Sequence, residues 1–330
     1  MKGLQLSQTS TELPPKLQVT NLPVPQLQPG YALVQIRFAS IQPSDRLNAQ
    51  GGFPYTKFPR VPGRDYSGVV VDIADHSDEA RSWIGKTVYG TSGLSLGFEV
   101  DGTHAQYCLI PQSALVEKPT VLSDFQAATV GVPFTTALLC IHRARVGAND
   151  VVLILGANGA VGSAAVQMAK AIGCKYVITA ARHAASNPDV ILSSDDPRTI
   201  LGGGILALTN GKGVDVVIDT VGDLTLMSAA MEQLALNGRY AWITAPKGDV
   251  SKNLIFDVFQ AYRKELSLLG CNSVTHSMEA MAEQLQSMHK WIEQGLLQAH
   301  KETDFATVKL EDAIEMGYGK TGQKVVIDMS

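Results

Sequence analysis

Residues 151–162 read VVLILGANGAVG. Five apolar residues, Val151 to Leu155, suit a strand buried on both faces, as in a parallel sheet. Three glycines, Gly156, Gly159 and Gly162, then lead into VGSAAVQMAKAIG. That segment predicts a helix with Val161, Ala165, Met168 and Ile172 on one face and Gly173 closing it. Strand, glycine turn and helix in this order make an anion site, because the first backbone amides of a helix lack internal partners and the helix dipole favours negative charge there. Gly159 lets a dinucleotide pyrophosphate approach the backbone, and Gly162 lets the helix pack closely on the strand. Ala157 replaces the first glycine of the usual pattern, so the fingerprint is AxGxxG preceded by Gly156. The expected binding residues are Gly156, Asn158 and Gly159 in the turn, with Ala160, Val161 and Gly162 at the helix start. The alternative is a tight βα turn without a ligand.

The chain of 330 residues has room for two domains with their own cores. Hydrophobic residues make up 45% and charged residues 18%, which places it among globular proteins. A net charge of −4 argues against a general nucleic-acid surface or an anionic membrane as partner. The N-terminal MKGLQLSQTS lacks the apolar core of a signal peptide, and no apolar run is long enough to span a bilayer. The four cysteines, at 108, 140, 174 and 271, form no CxxC pair and predict no disulfide framework. A cytoplasmic location is expected.

Outward from the glycine turn, the fold class predicted is α/β. Residues 1–120 are β-rich: YALVQIRF (31–38) alternates like a half-buried strand, and 67–73, 87–89 and 105–110 are further short strands between glycine and proline turns. From about Ser123 helices appear, at 124–130 and 135–143, with Pro133 expected to separate them. Strands at 151–155, 176–180, 189–192, 214–219, 240–244 and 266–269 then alternate with helices, the pattern of a doubly wound parallel sheet. A helix is expected over 278–294. KVVID (324–328) ends the chain as a strand outside that alternation.

The segments IQPSD (41–45), VPGRDYSGVV (61–70), DGTHAQYCLIP (101–111), GVPFTTAL (131–138), GANGAVG (156–162), VDVVIDTVG (214–222) and GRYAWITA (238–245) resemble, in order and spacing, the medium-chain dehydrogenase/reductase superfamily. Within it they resemble the zinc-free quinone oxidoreductase branch. The resemblance covers nearly the whole chain. It implies a GroES-like catalytic domain (1–122), a Rossmann NADP-binding domain (123–270) and a C-terminal return to the catalytic domain (271–330). It also implies a homodimer, for which 240–245 and 254–259 offer an apolar surface. Zinc-dependent relatives carry a cysteine where this chain has Ser44 and a His-Glu pair where it has Arg64-Asp65, so no metal is expected. The Arg64-Asp65 pair is expected to fill the vacated pocket as an ion pair, and Asp45 to orient its loop or cap the helical turn that follows.

The second strand of the parallel sheet ends YVITAARHAAS (176–186). NAD sites usually offer a carboxylate there for the ribose 2′-hydroxyl, whereas Arg182, with His183 and Ser186 nearby, suits a 2′-phosphate. The cofactor expected is therefore NADP(H). The resemblance adds Gln42, Thr136, Thr220, Val221, Gly222, Thr244, Ala245 and Asn272 as cofactor-binding positions. Without a metal-bound alkoxide, the expected reaction is hydride transfer from NADPH to an electrophilic small molecule, a quinone or an α,β-unsaturated carbonyl. Quinone reductases of the branch often carry a tyrosine where this chain has Leu47, and enoyl reductases place one near Phe53. Tyr55 is the nearest phenol and the candidate proton donor; water or a ribose hydroxyl are the alternatives. Leu94, Phe98, Phe256 and Phe259 are candidate walls of an apolar pocket. The loss of both familiar tyrosines also leaves a second reading, a nucleotide-binding protein with little catalysis.

Overall fold

The computed structural model describes the chain outside residues 11, 184–186, 193–195, 249 and 321. The chain packs into two compact units, residues 1–135 with 273–330, and residues 136–272.

The first unit opens with an antiparallel pair, β1 (Lys2–Ser7) and β2 (Lys16–Asn21). β3 (Tyr31–Ile41) follows, its Ala32, Val34 and Ile36 buried and alternating with exposed Gln35 and Arg37. That period of two sets one face on the core. α1 (Pro43–Ala49) leads to β4 (Tyr66–Ile73), then α2 (Asp78–Arg81), β5 (Thr87–Gly90), β6 (Tyr107–Pro111) and α3 (Asp124–Ala127). α3 belongs to this unit: Phe125 meets Phe38 edge-on at 5.7 Å, and Asp124 pairs with Arg37 at 2.5 Å. Packing thus divides the chain at 135/136 and 272/273, against the sequence reading of 122/123 and 270/271. α4 (Gly131–Arg143) begins four residues before the sequence suggests. Pro133 does not break it, since the first turn of a helix has no use for the missing N–H.

The second unit contains β7 (Val151–Leu155), α5 (Ala160–Ile172), β8 (Tyr176–Ala181), β9 (Val190–Ile191), α6 (Pro197–Thr209), β10 (Val214–Asp219), α7 (Leu224–Glu232), β11 (Leu234–Trp242), α8 (Val258–Arg263) and β12 (Ser267–Gly270). Among the described residues its strands form a parallel sheet in the order β9-β8-β7-β10-β11-β12. The order reverses between β7 and β10, where ligands of such sheets bind at the carboxyl ends of the strands. Val152 to Leu155 are wholly buried, as strands covered on both faces require. Leu153, Ile178, Val217, Leu201, Leu226 and Met231 belong to one core, each contributing about 2 kcal/mol by leaving water. α5 ends as predicted, on Gly173 at φ +81°. Its buried face is Gly162, Ala164, Ala165, Met168 and Ala169, turned by about one residue from the predicted one, with Val161 and Ile172 half-buried. Small residues on that face let the helix lie close to the strands.

Of the two stretches expected to offer a dimer surface, 254–259 exposes Ile255, Phe256, Val258 and Phe259, whereas the strand of 240–245 does not lie at an edge. β11 lies inside the sheet, and Tyr240 and Ala241 are wholly buried. β12 is one of the sheet's two edges among the described residues, with β9 at the other, and Ile255, Val258, Phe259 and Tyr262 are exposed in the segment just before β12.

The chain then rejoins the first unit. α9 (Met278–Glu293) buries Met278, Met281, Leu285, Met288 and Ile292 along one face. β13 (Phe305–Lys309) pairs parallel with β14 (Lys324–Asp328), which pairs antiparallel with β3. Among the described residues no helix is long and apolar enough to cross a membrane.

Two glycines of the second unit should respond to alanine with opposite signs. A Cβ on Gly162 would stand 2.2 Å from the Gly156 carbonyl oxygen, a backbone atom with nowhere to go, whereas one on exposed Gly203 in α6 meets nothing within 4 Å. Gly162→Ala should lose about 1–3 kcal/mol through overpacking. Gly203→Ala should gain about 0.5–1 kcal/mol from helix propensity. Urea unfolding of both variants checks this; equal effects would contradict the close approach.

Candidate active site

In the second unit the glycine turn is assembled from three strand ends. Gly156, at φ +78°, lies against β10's end: a Cβ there would come within 2.5 Å of Thr220 Oγ1 and 3.0 Å of the Val221 side chain. Thr220 Oγ1 donates to the Leu155 carbonyl at 2.8 Å, tying β10's exit to that of β7. Gly222 packs on the Thr244 backbone, with a virtual Cβ 2.8 Å from its carbonyl carbon. Thr244 and Ala245 sit just beyond β11, which ends two residues sooner than the sequence reading has it. Asn158 Nδ2 reaches the His183 carbonyl at 3.5 Å, so the turn also touches the loop after β8. Arg182 and His183 are exposed there, and Ser186 lies outside the described residues.

Sequence reasoning missed the carboxylate that holds this arrangement. Asp219 is wholly buried at the end of β10. Its Oδ1 accepts from the N–H groups of Val221 at 2.7 Å and Gly222 at 3.1 Å, and its Oδ2 from the Tyr240 hydroxyl at 3.0 Å. Burial pushes its carboxyl up, and the three donors pull it back. The signal was present in VDVVIDTVG: an acid ending an otherwise apolar strand must find donors nearby.

α5 has Gly159 as its N-cap, and no side chain caps it. The amides of Ala160, Val161 and Gly162 are left for an anion, which is where a pyrophosphate would sit. Thr136, in α4, is buried, and its Oγ1 has no hydrogen-bond partner. Such an orphan fits a polar ligand. Asn272 is exposed two residues beyond β12. These features fit a dinucleotide.

The first unit holds a second cluster, around Arg64. Its guanidinium is buried, hydrogen-bonded through Nη2 to Ser44 Oγ, and lies over the Phe98 ring at 5.4 Å. Its ion pair is with Asp45, Nε to Oδ1 at 3.5 Å, and not with the adjacent Asp65 as the sequence reading had it. Neighbouring residues of a strand approach point to opposite faces. Asp45 also accepts from the Gln42 N–H at 2.8 Å, which fixes the entry to α1. Asp65 turns instead to Gln42 Nε2 at 2.8 Å and to the Val132 N–H at 2.9 Å, in the first turn of α4. Gln42 Nε2 donates to Ser40 as well, so this amide group is engaged within the unit.

A zinc ion does not fit these residues. Ser44 and Arg64 meet where relatives would offer metal ligands, but they supply neither thiolate nor imidazole, and the guanidinium already brings a positive charge. Among the described residues no three His, Cys, Asp or Glu side chains gather as a metal site would need.

Tyr55 is half-buried beside this cluster, its ring 5.4 Å from Phe53 and 5.7 Å from Phe98. Partial burial raises its phenol, and the charge of Arg64 opposes that. Phe98 is wholly buried within the first unit, while Phe256 and Phe259 are exposed on the second. Buried His104 is bonded to the Tyr318 hydroxyl at 2.8 Å and to the Ser40 carbonyl at 3.2 Å, a packing role. Lys324 lies over Phe305 and is not solvated as a surface lysine.

Asp65 makes stability depend on pH. Its carboxyl, wholly buried, is pushed up to about 6, chiefly by loss of solvation. In the unfolded chain it titrates near 4. Between these values the folded state holds the extra proton, so the contribution of Asp65 to stability is greatest below about pH 4 and is lost as pH rises through about 6, by about 3 kcal/mol in all. Asp65→Asn, which keeps an acceptor for Val132, should flatten this fall. Urea unfolding of both proteins at pH 4.5 and 7 measures it; an unchanged pH slope would contradict the assignment.

The chain matches the family profile "Alcohol dehydrogenase GroES-like domain" over residues 28–120 and "Zinc-binding dehydrogenase" over residues 160–288. It is 44% identical to a zinc-type alcohol dehydrogenase-like protein of Schizosaccharomyces pombe over 84% of this chain and 81% of that one. An acryloyl-coenzyme A reductase of Metallosphaera sedula is 27% identical, over 78% of this chain and 81% of that one. A quinone oxidoreductase of Homo sapiens is 24% identical, over 93% and 92%. The ordered sequence segments, the parallel sheet with its glycine turn and these likenesses together place the chain in the medium-chain dehydrogenase/reductase superfamily of oxidoreductases.

Proposed function

We propose that this oxidoreductase uses NADPH, without zinc, to reduce a quinone or an α,β-unsaturated carbonyl compound. The observation that carries the reading is Arg64 hydrogen-bonded to Ser44 at the two positions where zinc-dependent relatives carry ligands. Without a metal to hold and acidify an alcohol, simple alcohol oxidation is disfavoured. A substrate already electrophilic at carbon needs no such activation. The reductases of acryloyl-coenzyme A and of quinones among the relatives support that class.

NADPH supplies the hydride. The chain's part is to hold it and to handle charge and proton. Gly156, Asn158, Gly159 and the amides of Ala160, Val161 and Gly162 would receive the pyrophosphate. Exposed Arg182 would pair with the 2′-phosphate, with His183 beside it. Thr136, Thr220, Val221, Gly222, Thr244, Ala245, Asn272 and Gln42 are the other cofactor positions in this reading. Hydride addition to a conjugated carbonyl creates an enolate oxygen and calls for one proton. Tyr55 is the proton donor in this reading: its raised phenol stays protonated at neutral pH.

The protein is read as cytoplasmic and as a homodimer joined along β12, where an open sheet edge adjoins exposed Ile255, Val258, Phe259 and Tyr262.

A fluorescence titration with NADPH and NADH, repeated with Arg182→Ala, tests the cofactor reading. NADPH should bind at least about ten-fold more tightly than NADH, a difference of about 1.4 kcal/mol, and the variant should lose that preference. With quinones, enones and enoyl thioesters, NADPH should be consumed, and Tyr55→Phe should slow the enones by roughly 100-fold. Equal binding of both cofactors would remove Arg182 from its role. NADPH binding with no turnover on any of the three substrate types would contradict the reductase and leave a non-catalytic nucleotide-binding protein.

A further inference from the structure

Asp219 decides which hydrogen-bonding groups the exit of β10 can offer to a ligand. Its Oδ1 takes the N–H groups of Val221 and Gly222, at 2.7 and 3.1 Å. The Thr220 N–H is spent as well, on the Leu155 carbonyl at 3.2 Å, and its hydroxyl donates to the same carbonyl at 2.8 Å. Every amide of the turn 220–222 is therefore engaged inside the protein. The carbonyls of half-buried Thr220 and exposed Val221 are the reverse: among the described residues neither accepts a hydrogen bond. We propose that Asp219 is a positioning residue for the nicotinamide half of the cofactor, because by binding the turn's amides it leaves this strand end an acceptor surface for a ligand's N–H and O–H groups.

The order of the strands says which half of the cofactor meets that surface. In the cofactor reading, on which this inference rests, the 2′-phosphate lies at Arg182 beyond β8, and the pyrophosphate at the start of α5 beyond β7. The next strand in the same direction is β10. The two ends also match in chemistry. A pyrophosphate only accepts, and the start of α5 offers amides that no side chain caps. The nicotinamide half carries carboxamide and ribose hydroxyl donors, and the exit of β10 offers carbonyls.

The turn is also fixed in place. Asp219 Oδ2 accepts from the Tyr240 hydroxyl at 3.0 Å, which ties the turn to β11, and Gly222 packs on the Thr244 backbone with no room for a Cβ. An ionised carboxylate is acceptor only, so one side chain can face all three donors. Asparagine can keep the arrangement, since its oxygen still accepts from both amides while its Nδ2 donates to the oxygen of Tyr240. Alanine cannot, and it frees two amides to turn outward and compete with the carbonyls.

Two ligands separate positioning from general support: NADPH, and 2′-phospho-ADP-ribose, which lacks the nicotinamide. Calorimetric titration of Asp219→Ala should show NADPH bound roughly ten-fold more weakly, with 2′-phospho-ADP-ribose within about two-fold of the wild-type protein. Asp219→Asn should bind both as the wild-type protein does. If Asp219→Ala does not fold, Asp219→Ser, whose oxygen ends one bond short of the carboxylate's reach, should give the same split. Unchanged NADPH affinity in the alanine or serine variant, equal weakening of both ligands, or an asparagine variant as weak as alanine would overturn the role. Failure of the cofactor reading itself would show separately, as absence of binding of either ligand by the wild-type protein.

Discussion

A buried guanidinium must find a counter-charge and acceptors, and much of the first unit answers that requirement at Arg64. Asp45 supplies the charge, Ser44 an acceptor, and the Phe98 ring a face. Removing one partner of such a buried pair costs about 3–5 kcal/mol, because the other charge is left stranded. That penalty locks α1 to β4: Asp45 also fixes the entry to α1 through the Gln42 N–H, and Gln42 reaches Asp65. Asp65 carries the chain of contacts to the first turn of α4 through Val132. One cation and its neighbours thus tie together the loop, the strand and the helix start.

The second unit is held by contacts of another kind. Its glycine turn depends on backbone meeting backbone, Gly162 on Gly156 and Gly222 on Thr244, with no room for a Cβ at either place. Asp219 joins the exits of β10 and β11 from below by taking two amides and the Tyr240 hydroxyl. The result leaves three unclaimed amides at the start of α5, after a turn whose Asn158 touches the loop that carries exposed Arg182.

What the sequence revealed follows from what is periodic or local. β7, β10 and β14 have the bounds read from their apolar runs, and Gly173 closes α5 as its position implies. β1 and β2 were missed because KGLQLS and KLQVTN carry few apolar residues and their partners are each other. Pro133 was misread since a proline in a first turn and a proline between helices look the same in a string of letters. Long-range choices were illegible. Nothing in VPGRDYSG tells that Arg64 turns to Asp45 and Asp65 to Val132. The edge strand was misplaced because an apolar run such as GRYAWITA reads alike at a dimer surface and in a sheet's interior.

If the guanidinium stands in for the metal's charge, zinc should be neither held nor needed. Elemental analysis of the purified protein, paired with NADPH-dependent turnover before and after dialysis against a chelator, measures both at once. Far less than one zinc per chain, with turnover unchanged by the chelator, is the result expected. One zinc per chain whose removal abolishes turnover would contradict it.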